Sequence, residues 1–252
     1  MIIVNAEVTQ LIELGSSIFL IKVRCPEIAR EASPGQFCNI RVSESNFPLL
    51  RRPFSICDVD GDYLYFMFNV LGEGTTILSH KKIGETLDIL GPLGQGFNFE
   101  GDYEAAVFVA GGLGAAPFPF LTRMLPQTKK LFTFVGGRSS SDVITYGMKN
   151  EIISTDDGSK GFKGNVVELL EANRKILEES KIKVFACGPT PMLRAVKEFC
   201  MKYSYNCEIS VESAMACGFG ICQGCPIEAL DKEGYYLVCK DGPVFDIKKV
   251  AL

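Results

Sequence analysis

The chain has 252 residues, of which 47% are hydrophobic and 22% charged, and its formal net charge is −4. This composition is ordinary for a globular protein and excludes a chain that is disordered throughout. The length predicts one to three domains. Because there is no basic excess, we expect neither nucleic acid nor an anionic membrane as a partner. His80 is the only histidine, which excludes chemistry that needs several imidazoles.

No targeting signal is evident in the sequence. The first ten residues lack the basic and apolar regions of a signal peptide. The longest apolar run, residues 105–121, contains three glycines and two prolines, a pattern typical of strand, turn and helix start rather than a membrane span. We therefore expect a soluble, cytoplasmic protein in a reducing compartment.

The first part of the chain, up to about residue 97, has the pattern of an all-β unit. Short segments rich in β-branched and aromatic residues alternate with Gly, Pro, Asp or Ser, as in small antiparallel barrels. Strands are expected at 2–8, 17–23, 36–42 and 63–70.

The rhythm changes after residue 102, where apolar strands alternate with longer helical patterns. Strands are expected at 105–110, 131–136 and 183–186, and helices at 166–175 and 190–203. This alternation predicts a parallel α/β sheet. The last 40 residues are rich in Gly and Cys and have no long periodicity. The sequence thus predicts three domains: a β-barrel at 1–98, an α/β domain at 99–211 and a cysteine-containing domain at 212–252.

Four of the ten cysteines form a recognisable run. Gaps of four, two and thirteen residues separate them, which is the plant-type ligand spacing of a [2Fe–2S] cluster. Neighbouring glycines at 218, 220 and 224 allow the tight backbone that such a loop needs. Structural zinc is the alternative, although zinc ribbons usually carry two C-x2-C pairs, and unliganded thiols are a third possibility. The expected ligands are Cys217, Cys222, Cys225 and Cys239.

The other six cysteines are scattered through mostly apolar segments and are interpreted as small buried hydrophobes. They are Cys25, Cys38, Cys57, Cys187, Cys200 and Cys207.

Two loops follow apolar strands in the α/β part. Residues 111–117 run GGLGAAP, and residues 187–192 run CGPTPM. Backbone N–H groups in such a loop can bind a dinucleotide pyrophosphate, and both loops would lie at the carboxyl edge of a parallel sheet. The first loop lacks the full G-x-G-x-x-G pattern, and no acidic residue is obvious about twenty positions on. An ordinary tight turn is therefore the alternative.

The barrel part contains residues 52–55, RPFS, and a later Gly74-Thr75 turn that opens a helical stretch. The planar fork of Arg52 suits a diphosphate, Ser55 can contact a flavin ring nitrogen, and the turn offers N–H donors to phosphate. Taken alone, Arg52 could equally be a surface charge.

Together these motifs resemble the ferredoxin–NADP reductase superfamily. More narrowly, nearly the whole chain resembles the electron-transfer subunits of type-B dihydroorotate dehydrogenases. The most specific stretches are TDDGS at 155–159, GFKGN at 161–165, ESAMACG at 212–218 and CKDGPVF at 239–245. The resemblance implies a FAD-binding β-barrel, an NAD-binding α/β domain and a C-terminal [2Fe–2S] domain.

The resemblance also implies roles for individual residues. Catalytic positions beside the flavin and nicotinamide are Ser55, Cys187 and Glu212. The alternative role of Cys187 is packing, and the alternative for Glu212 is a solvated charge. The implied FAD contacts are Arg52, Pro53, Phe54, Ser55, Met67, Phe68, Asn69, Gly74 and Thr75. The implied nicotinamide-dinucleotide contacts are Gly111, Gly112, Gly114, Gly188 and Pro189.

The implied activity is an electron relay from NADH through FAD and the cluster to the FMN of a dihydroorotate dehydrogenase catalytic subunit. The resemblance implies a heterotetramer of two catalytic and two electron-transfer subunits. NADH is expected, although Arg138 stands where an arginine could accept a 2′-phosphate. Two alternatives remain: a reductase subunit that serves another iron–sulfur flavoenzyme or a bifurcating complex, and a zinc-bearing binding module.

Overall fold

A computed structural model describes residues 1–15 and 17–252. Its first part is a closed antiparallel barrel of six strands in the order β1-β2-β5-β4-β3-β6. The strands are β1 Ile2–Gly15, β2 Ile18–Arg24, β3 Phe37–Arg41, β4 Arg52–Asp60, β5 Tyr63–Asn69 and β6 Thr86–Leu93, with two short helices, α1 Pro26–Ala29 and α2 Glu73–Ser79. The four expected strands are present. Strands β4 and β6 were missed, because proline and glycine within them masked the alternation.

Alternation along each strand separates the inside of the barrel from its outside. Leu64, Phe66 and Phe68 of β5 point into a closed apolar core. Met67, between them, packs instead with residues of the second part of the molecule. The α/β layer therefore buries Met67 on the outer face of β5, while Tyr63, Tyr65 and Asn69 on that face are half-buried.

That layer is a seven-stranded sheet in the order β10-β9-β8-β7-β11-β12-β15. All neighbours are parallel except β12 and β15, which are antiparallel. The strands are β7 Ala105–Gly111, β8 Lys130–Gly137, β9 Glu151–Thr155, β10 Phe162–Lys163, β11 Ile182–Cys187, β12 Asn206–Ser210 and β15 Val244–Asp246. The predicted fold class, an antiparallel barrel followed by a parallel-sheet domain, is confirmed.

The helices of this layer are α3 Phe118–Met124, α4 Val166–Ala172, α5 Arg174–Leu177 and α6 Thr190–Lys202. The single helix expected at 166–175 is interrupted at Asn173, whose Nδ2 donates to the carbonyl of Leu169 at 2.8 Å. A side chain that hydrogen-bonds its own backbone competes with helix propagation. Among residues 1–15 and 17–252, no helix combines the length and the apolar character that crossing a bilayer requires.

The C-terminal segment is attached to both layers. After β12 the chain forms the cysteine loops, a small hairpin of β13 Pro226–Glu228 and β14 Tyr235–Leu237, and the short helix α7 Val238–Asp241. It then returns to the large sheet as β15, next to β12. Beside the barrel, Gln95 forms an isolated bridge with Pro243. Because β15 completes the sheet, this segment shares the core of the α/β layer, and the predicted boundary at residue 212 stays a prediction.

Candidate functional site

A cleft of about 320 Å³ lies where the barrel, the sheet and the C-terminal segment meet, within the size range of small-molecule sites. The residues that line it come from β4 and β5, from the carboxyl edge of the sheet, and from the start of the C-terminal segment. They include ten residues expected at the flavin or nicotinamide: Arg52, Pro53, Phe54, Ser55, Met67, Phe68, Asn69, Thr75, Cys187 and Glu212. Residues distant in sequence thus converge on one cavity.

Strand alternation decides how these barrel residues face the cleft. Phe54 and Phe68 belong to the apolar core of the barrel, and their ring centroids are 5.8 Å apart. Pro53, Ser55 and Asn69 lie on the opposite, outer side of the same strands. The outer residues therefore present their side chains to the cleft, whereas the two phenylalanines mainly fill the barrel.

The structure also distinguishes two adjacent arginines. Arg51 Nη2 donates to Asp88 Oδ2 at 2.7 Å, and its Nη1 donates to the Asp88 carbonyl at 2.9 Å. Arg52 lines the cleft and donates to the carbonyl of Leu50. Within the described residues, Arg52 forms no ion pair with a carboxylate. Its charge is therefore available to an anion, while Arg51 is already neutralised.

The turn before α2 supports Arg52. A Cβ at Gly74 would lie 3.2 Å from Arg52 Nε, so glycine lets the arginine lie against the turn. Thr75 lines the cleft, but its hydroxyl accepts from the N–H groups of Leu71 and Gly72 and donates to the Gly72 carbonyl. The Thr75 side chain thus holds the turn, and only backbone groups of this turn are free for a phosphate.

A second cavity, of about 540 Å³, adjoins the first, and Asn69 and Leu113 line both. Its other walls include both glycine loops of the sheet edge: Gly111, Gly112, Pro189 and Met192. The two cavities therefore form one continuous surface at the carboxyl edge of the sheet, where open α/β folds bind ligands.

Gly114 and Gly188 allow the two glycine loops to approach each other closely. A Cβ at Gly114 would overlap the carbonyl of Cys187, and a Cβ at Gly188 would lie 3.2 Å from the N atom of Gly111. These glycines allow the two loops to pack backbone against backbone. A 3₁₀ turn, Gly112–Ala115, precedes α3, which begins at Phe118 after the glycine turn, where a helix start was expected.

Sequence reasoning missed two acidic residues, Asp142 and Asp156, which line the second cavity beside Arg138. Asp142 Oδ2 lies 3.6 Å from Arg138 Nε and accepts from the N–H of Ser139 at 3.2 Å. The usual dinucleotide pattern has its acidic residue about twenty positions after the glycine loop, and neither aspartate lies there. The signal that could have found these two is their place in the chain beyond the strand ends, Asp156 directly after β9 and Asp142 in the turn that follows β8, because successive parallel strands end at the same edge.

Cys187 ends β11 and is only 5% exposed. Burial, followed by the charge of Glu212, raises the pKa of its thiol to about 12, although a hydrogen bond with Ser210 acts in the opposite direction. The group is therefore a neutral thiol at physiological pH, suited to packing or weak hydrogen bonding and unsuited to attack as a thiolate. Cys25, Cys38, Cys57, Cys200 and Cys207 are also buried, as expected.

The four cysteines of the C-terminal segment lie together as two pairs. The N–H of Cys222 donates to Cys217 Sγ at 3.5 Å, and that of Cys239 donates to Cys225 Sγ at 3.4 Å. Cys217 also lies close enough to Cys239 to raise the pKa of its thiol. Within residues 1–15 and 17–252, no three His, Cys, Asp or Glu side chains are grouped to hold a single metal ion. Two pairs of thiols suit two irons that take two thiolates each.

Backbone amides around Cys217 favour a thiolate. Burial alone would raise its pKa, but hydrogen bonds to the sulfur outweigh burial and lower the pKa to about 6; the N–H of Cys222 donates at 3.5 Å, and those of Phe219 and Ile221 also contribute. Burial, followed by the Cys225 thiol, raises the pKa of Cys239 to about 12. Bound iron ions would favour the thiolate form of their ligands.

The glycines of the loop divide into two kinds. Gly218 and Gly220 have positive φ, at 81° and 91°, as expected for a tight loop. Gly224 does not; its neighbour Gln223 takes the left-handed conformation with φ of 56°. A Cβ at Gly224 would lie 3.4 Å from Cys222 Sγ, an ordinary van der Waals distance, so neither the backbone conformation nor the available space requires a glycine at this position.

The barrel, the parallel sheet and the cleft between them define the fold of ferredoxin–NADP reductases. A solved ferredoxin NADP+ reductase from Neisseria gonorrhoeae with bound FAD and NADP has this fold, with a TM-score of 0.65 and 15% identity over 79% of this chain and 91% of that one. The profile described as the iron-sulfur cluster binding domain of dihydroorotate dehydrogenase B matches residues 212–251.

Curated relatives show which family with this fold the chain belongs to. The chain is 35% identical to a dihydroorotate dehydrogenase B (NAD(+)) electron transfer subunit from Desulforamulus reducens, over 96% of this chain and 95% of that protein. It is also 35% identical to a homologue of that subunit from Aquifex aeolicus, over 98% of each chain. The chain belongs to the family of dihydroorotate dehydrogenase B electron transfer subunits.

A further solved structure, described as an NADH-dependent reduced ferredoxin-NADP oxidoreductase in work on flavin-based electron bifurcation, is similar over almost the whole chain. Its TM-score is 0.87 and its identity 26%, over 98% of this chain and 90% of that one.

Proposed function

We propose that this chain is the electron-transfer subunit of a dihydroorotate dehydrogenase in pyrimidine biosynthesis. It would pass electrons between NAD(H), FAD and a [2Fe–2S] cluster and the FMN of a catalytic partner, in a heterotetramer of two subunits of each kind. The observation that carries this proposal is the continuity of the sites: the dinucleotide cavity shares Asn69 and Leu113 with the cleft, and the cleft extends to Glu212 and Met215, just before Cys217.

Flavin binding is assigned to the outer face of the barrel. Arg52, with no carboxylate partner in the described chain, is available to the diphosphate, and the N–H groups of the Gly74 turn lie beside it. Ser55 and Asn69 would contact the ring system from adjacent strands. These polar groups stand on rigid strands, which fixes the orientation of a bound flavin.

Nicotinamide binding is assigned to the carboxyl edge of the sheet. Backbone groups of Gly111, Gly112 and Pro189 line the second cavity, while Cys187 and Glu212 line the cleft where the nicotinamide ring would meet the flavin. When bound, the flavin supplies the conversion between two-electron hydride chemistry and one-electron transfer. No side chain needs to act as a general base, which agrees with the neutral Cys187 thiol.

A second candidate has its own support. The likeness to the NADH-dependent reduced ferredoxin-NADP oxidoreductase, with a TM-score of 0.87, favours the same cofactors with a different acceptor, such as a bifurcating complex. The partner that co-purifies with the chain from its native source separates the two candidates: an FMN-containing dihydroorotate dehydrogenase supports the first, and another iron–sulfur flavoenzyme the second.

We also propose a cytoplasmic location. All ten cysteines are unbridged, which suits a compartment that keeps thiols reduced.

The deciding experiment is an anaerobic visible spectrum of the purified chain before and after one equivalent of NADH. Flavin and iron–sulfur bands that both bleach are expected. Bleaching with NADPH and not NADH would overturn the choice of nucleotide. A colourless protein that contains zinc and no iron after iron-replete expression would overturn the redox function.

A further inference from the structure

A buried amide on the barrel touches the cysteine loop. Asn39 lies in β3 and is 0% exposed. Its Nδ2 donates to the carbonyl of Cys217 at 3.2 Å, across 178 positions of sequence. Within the described residues, Asn39 Oδ1 has no hydrogen-bond partner. Burying this unpaired oxygen costs free energy that an apolar side chain at position 39 would not cost. The function of the amide must therefore be sought in its bond to Cys217.

The loop is built closely around this amide. Gly218, directly after the cysteine, has φ of 81°, and a Cβ on it would overlap Asn39 Nδ2. The same imagined Cβ would lie 3.4 Å from Leu93 of the barrel. Any side chain at 218 would therefore push the cysteine loop away from the barrel.

Asn39 also lies beside the flavin face of the barrel. It pairs across the strands with Pro53, and Phe37, two residues earlier on the same side of β3, lines the cleft together with Pro53. Its strand is held in place by Arg51, whose Nη1 lies 3.5 Å from the Asn39 carbonyl and 2.9 Å from that of Asp88. One rigid strand thus contacts both the flavin cleft and the loop of the first cysteine ligand.

We propose that Asn39 is a positioning residue for electron transfer, which ties the loop of Cys217 to the flavin barrel. This inference rests on the proposed function. The tie acts in two ways. It holds the distance between flavin and cluster, on which electron-transfer rates depend steeply. It also keeps the loop conformation in which the N–H of Cys222 points to Cys217 Sγ, and hydrogen bonds to sulfur tune the potential of a cluster.

The test compares Asn39→Leu with Thr9→Val in the reconstituted full chain that holds FAD and cluster. Thr9 is a matched control, because its Oγ1 also donates to a carbonyl at 3.2 Å, that of Lys22, but between β1 and β2 of the barrel. Three quantities are measured: the EPR spectrum of the NADH-reduced cluster, the rate of cluster loss to an iron chelator, and the stopped-flow rate of electron transfer from flavin to cluster.

For Asn39→Leu we expect altered EPR g-values, chelator-induced loss that is about threefold to tenfold faster, as the loss of one hydrogen bond implies, and slower transfer from flavin to cluster. The NADH-dependent reduction of FAD stays unchanged. For Thr9→Val all these quantities stay at wild-type values. The inference is overturned if Asn39→Leu matches the wild type in all three measurements, or if both variants change equally.

Two further variants keep the test informative if leucine prevents folding. Gly218→Ala must weaken cluster retention in the wild-type background, and Asn39→Ala must lessen that effect by removing the overlap. Additive effects would contradict the contact. A wild-type chain that takes up neither FAD nor cluster would refute the proposed function itself, whereas a loaded wild type with unaffected variants would refute only the role of Asn39.

Discussion

Two adjacent arginines make a sharp test of the flavin site. Arg51→Met and Arg52→Met remove the same charge from neighbouring positions, yet their surroundings differ. Arg52 lines the cleft and has no carboxylate partner in the described chain. Arg51 is bound to both the side chain and the carbonyl of Asp88. We therefore expect Arg52→Met to weaken FAD binding and Arg51→Met to weaken folding.

The expected magnitudes follow from the hydrogen bonds that each substitution removes. A hydrogen bond to a charged group contributes about 1.5–3 kcal/mol, so removal of the Arg52–diphosphate interaction should raise the Kd for FAD by roughly 10-fold to 150-fold. The ion pair of Arg51 is about three-quarters buried, with side-chain exposures of 21% and 25%. Its removal leaves Asp88 without its cation, and we expect unfolding to become easier by about 1–3 kcal/mol.

The assays are flavin fluorescence titration for the Kd, and denaturant unfolding of the FAD-free chain for stability. Arg52→Met should leave the unfolding free energy within about 0.5 kcal/mol of the wild type, as is usual for a surface change. The reasoning is refuted if Arg52→Met binds FAD as tightly as the wild type. It is equally refuted if Arg51→Met retains full stability while losing FAD.

Three other predictions concern nucleotide choice, a buried thiol and the joint between the layers. Arg138 Nε lies 3.6 Å from the carboxylate of Asp142. Asp142→Asn removes this ion pair, so the ratio of kcat/KM for NADPH to kcat/KM for NADH should rise severalfold. An unchanged ratio would show that this pair does not select the nucleotide. Burial raises the pKa of the Cys187 thiol from 9.0 to about 12, so the buried neutral thiol stabilises the wild type fully below pH 9.0 and progressively less above it. The loss of stability caused by Cys187→Ala should therefore shrink above pH 9.0. Urea unfolding of both proteins at pH 7, 9 and 10.5 checks this, and a loss that grows with pH would contradict the stated cause. The same variant should transfer hydride more slowly if the thiol contacts the nicotinamide, and a wild-type rate in stopped flow would dismiss that role. Arg123→Met breaks the paired bonds to Asp58 of 2.9 and 2.7 Å between α3 and β4, and should destabilise the chain by about 1–3 kcal/mol. Asp58→Asn is the control and should destabilise the chain less, because it leaves no unpaired charge buried. Equal losses of stability from the two substitutions would refute the argument from burial.

Local sequence was sufficient wherever the chemistry depends on short spacing. The expected cluster ligands were identified from their spacing alone, and their role as ligands stays a prediction. Strand β5 was predicted at residues 63–70 from aromatic and β-branched residues bounded by turn residues, a composition that favours strands. The glycine loops at 111–114 and 188 were found for the same reason: the strand exits impose close backbone approach within a few residues.

Tertiary structure decided everything that depends on which distant surfaces meet. The RPFS motif at 52–55 points to Arg52, but the sequence does not show that Arg51 is already paired; the position of Asp88 on β6 does. Asn39 gave no local signal, because its partner lies 178 positions away. Asp142 and Asp156 join one cavity only because parallel strands end at a common edge. Long-range contacts are set by packing and strand order, and no periodicity within a short window encodes them.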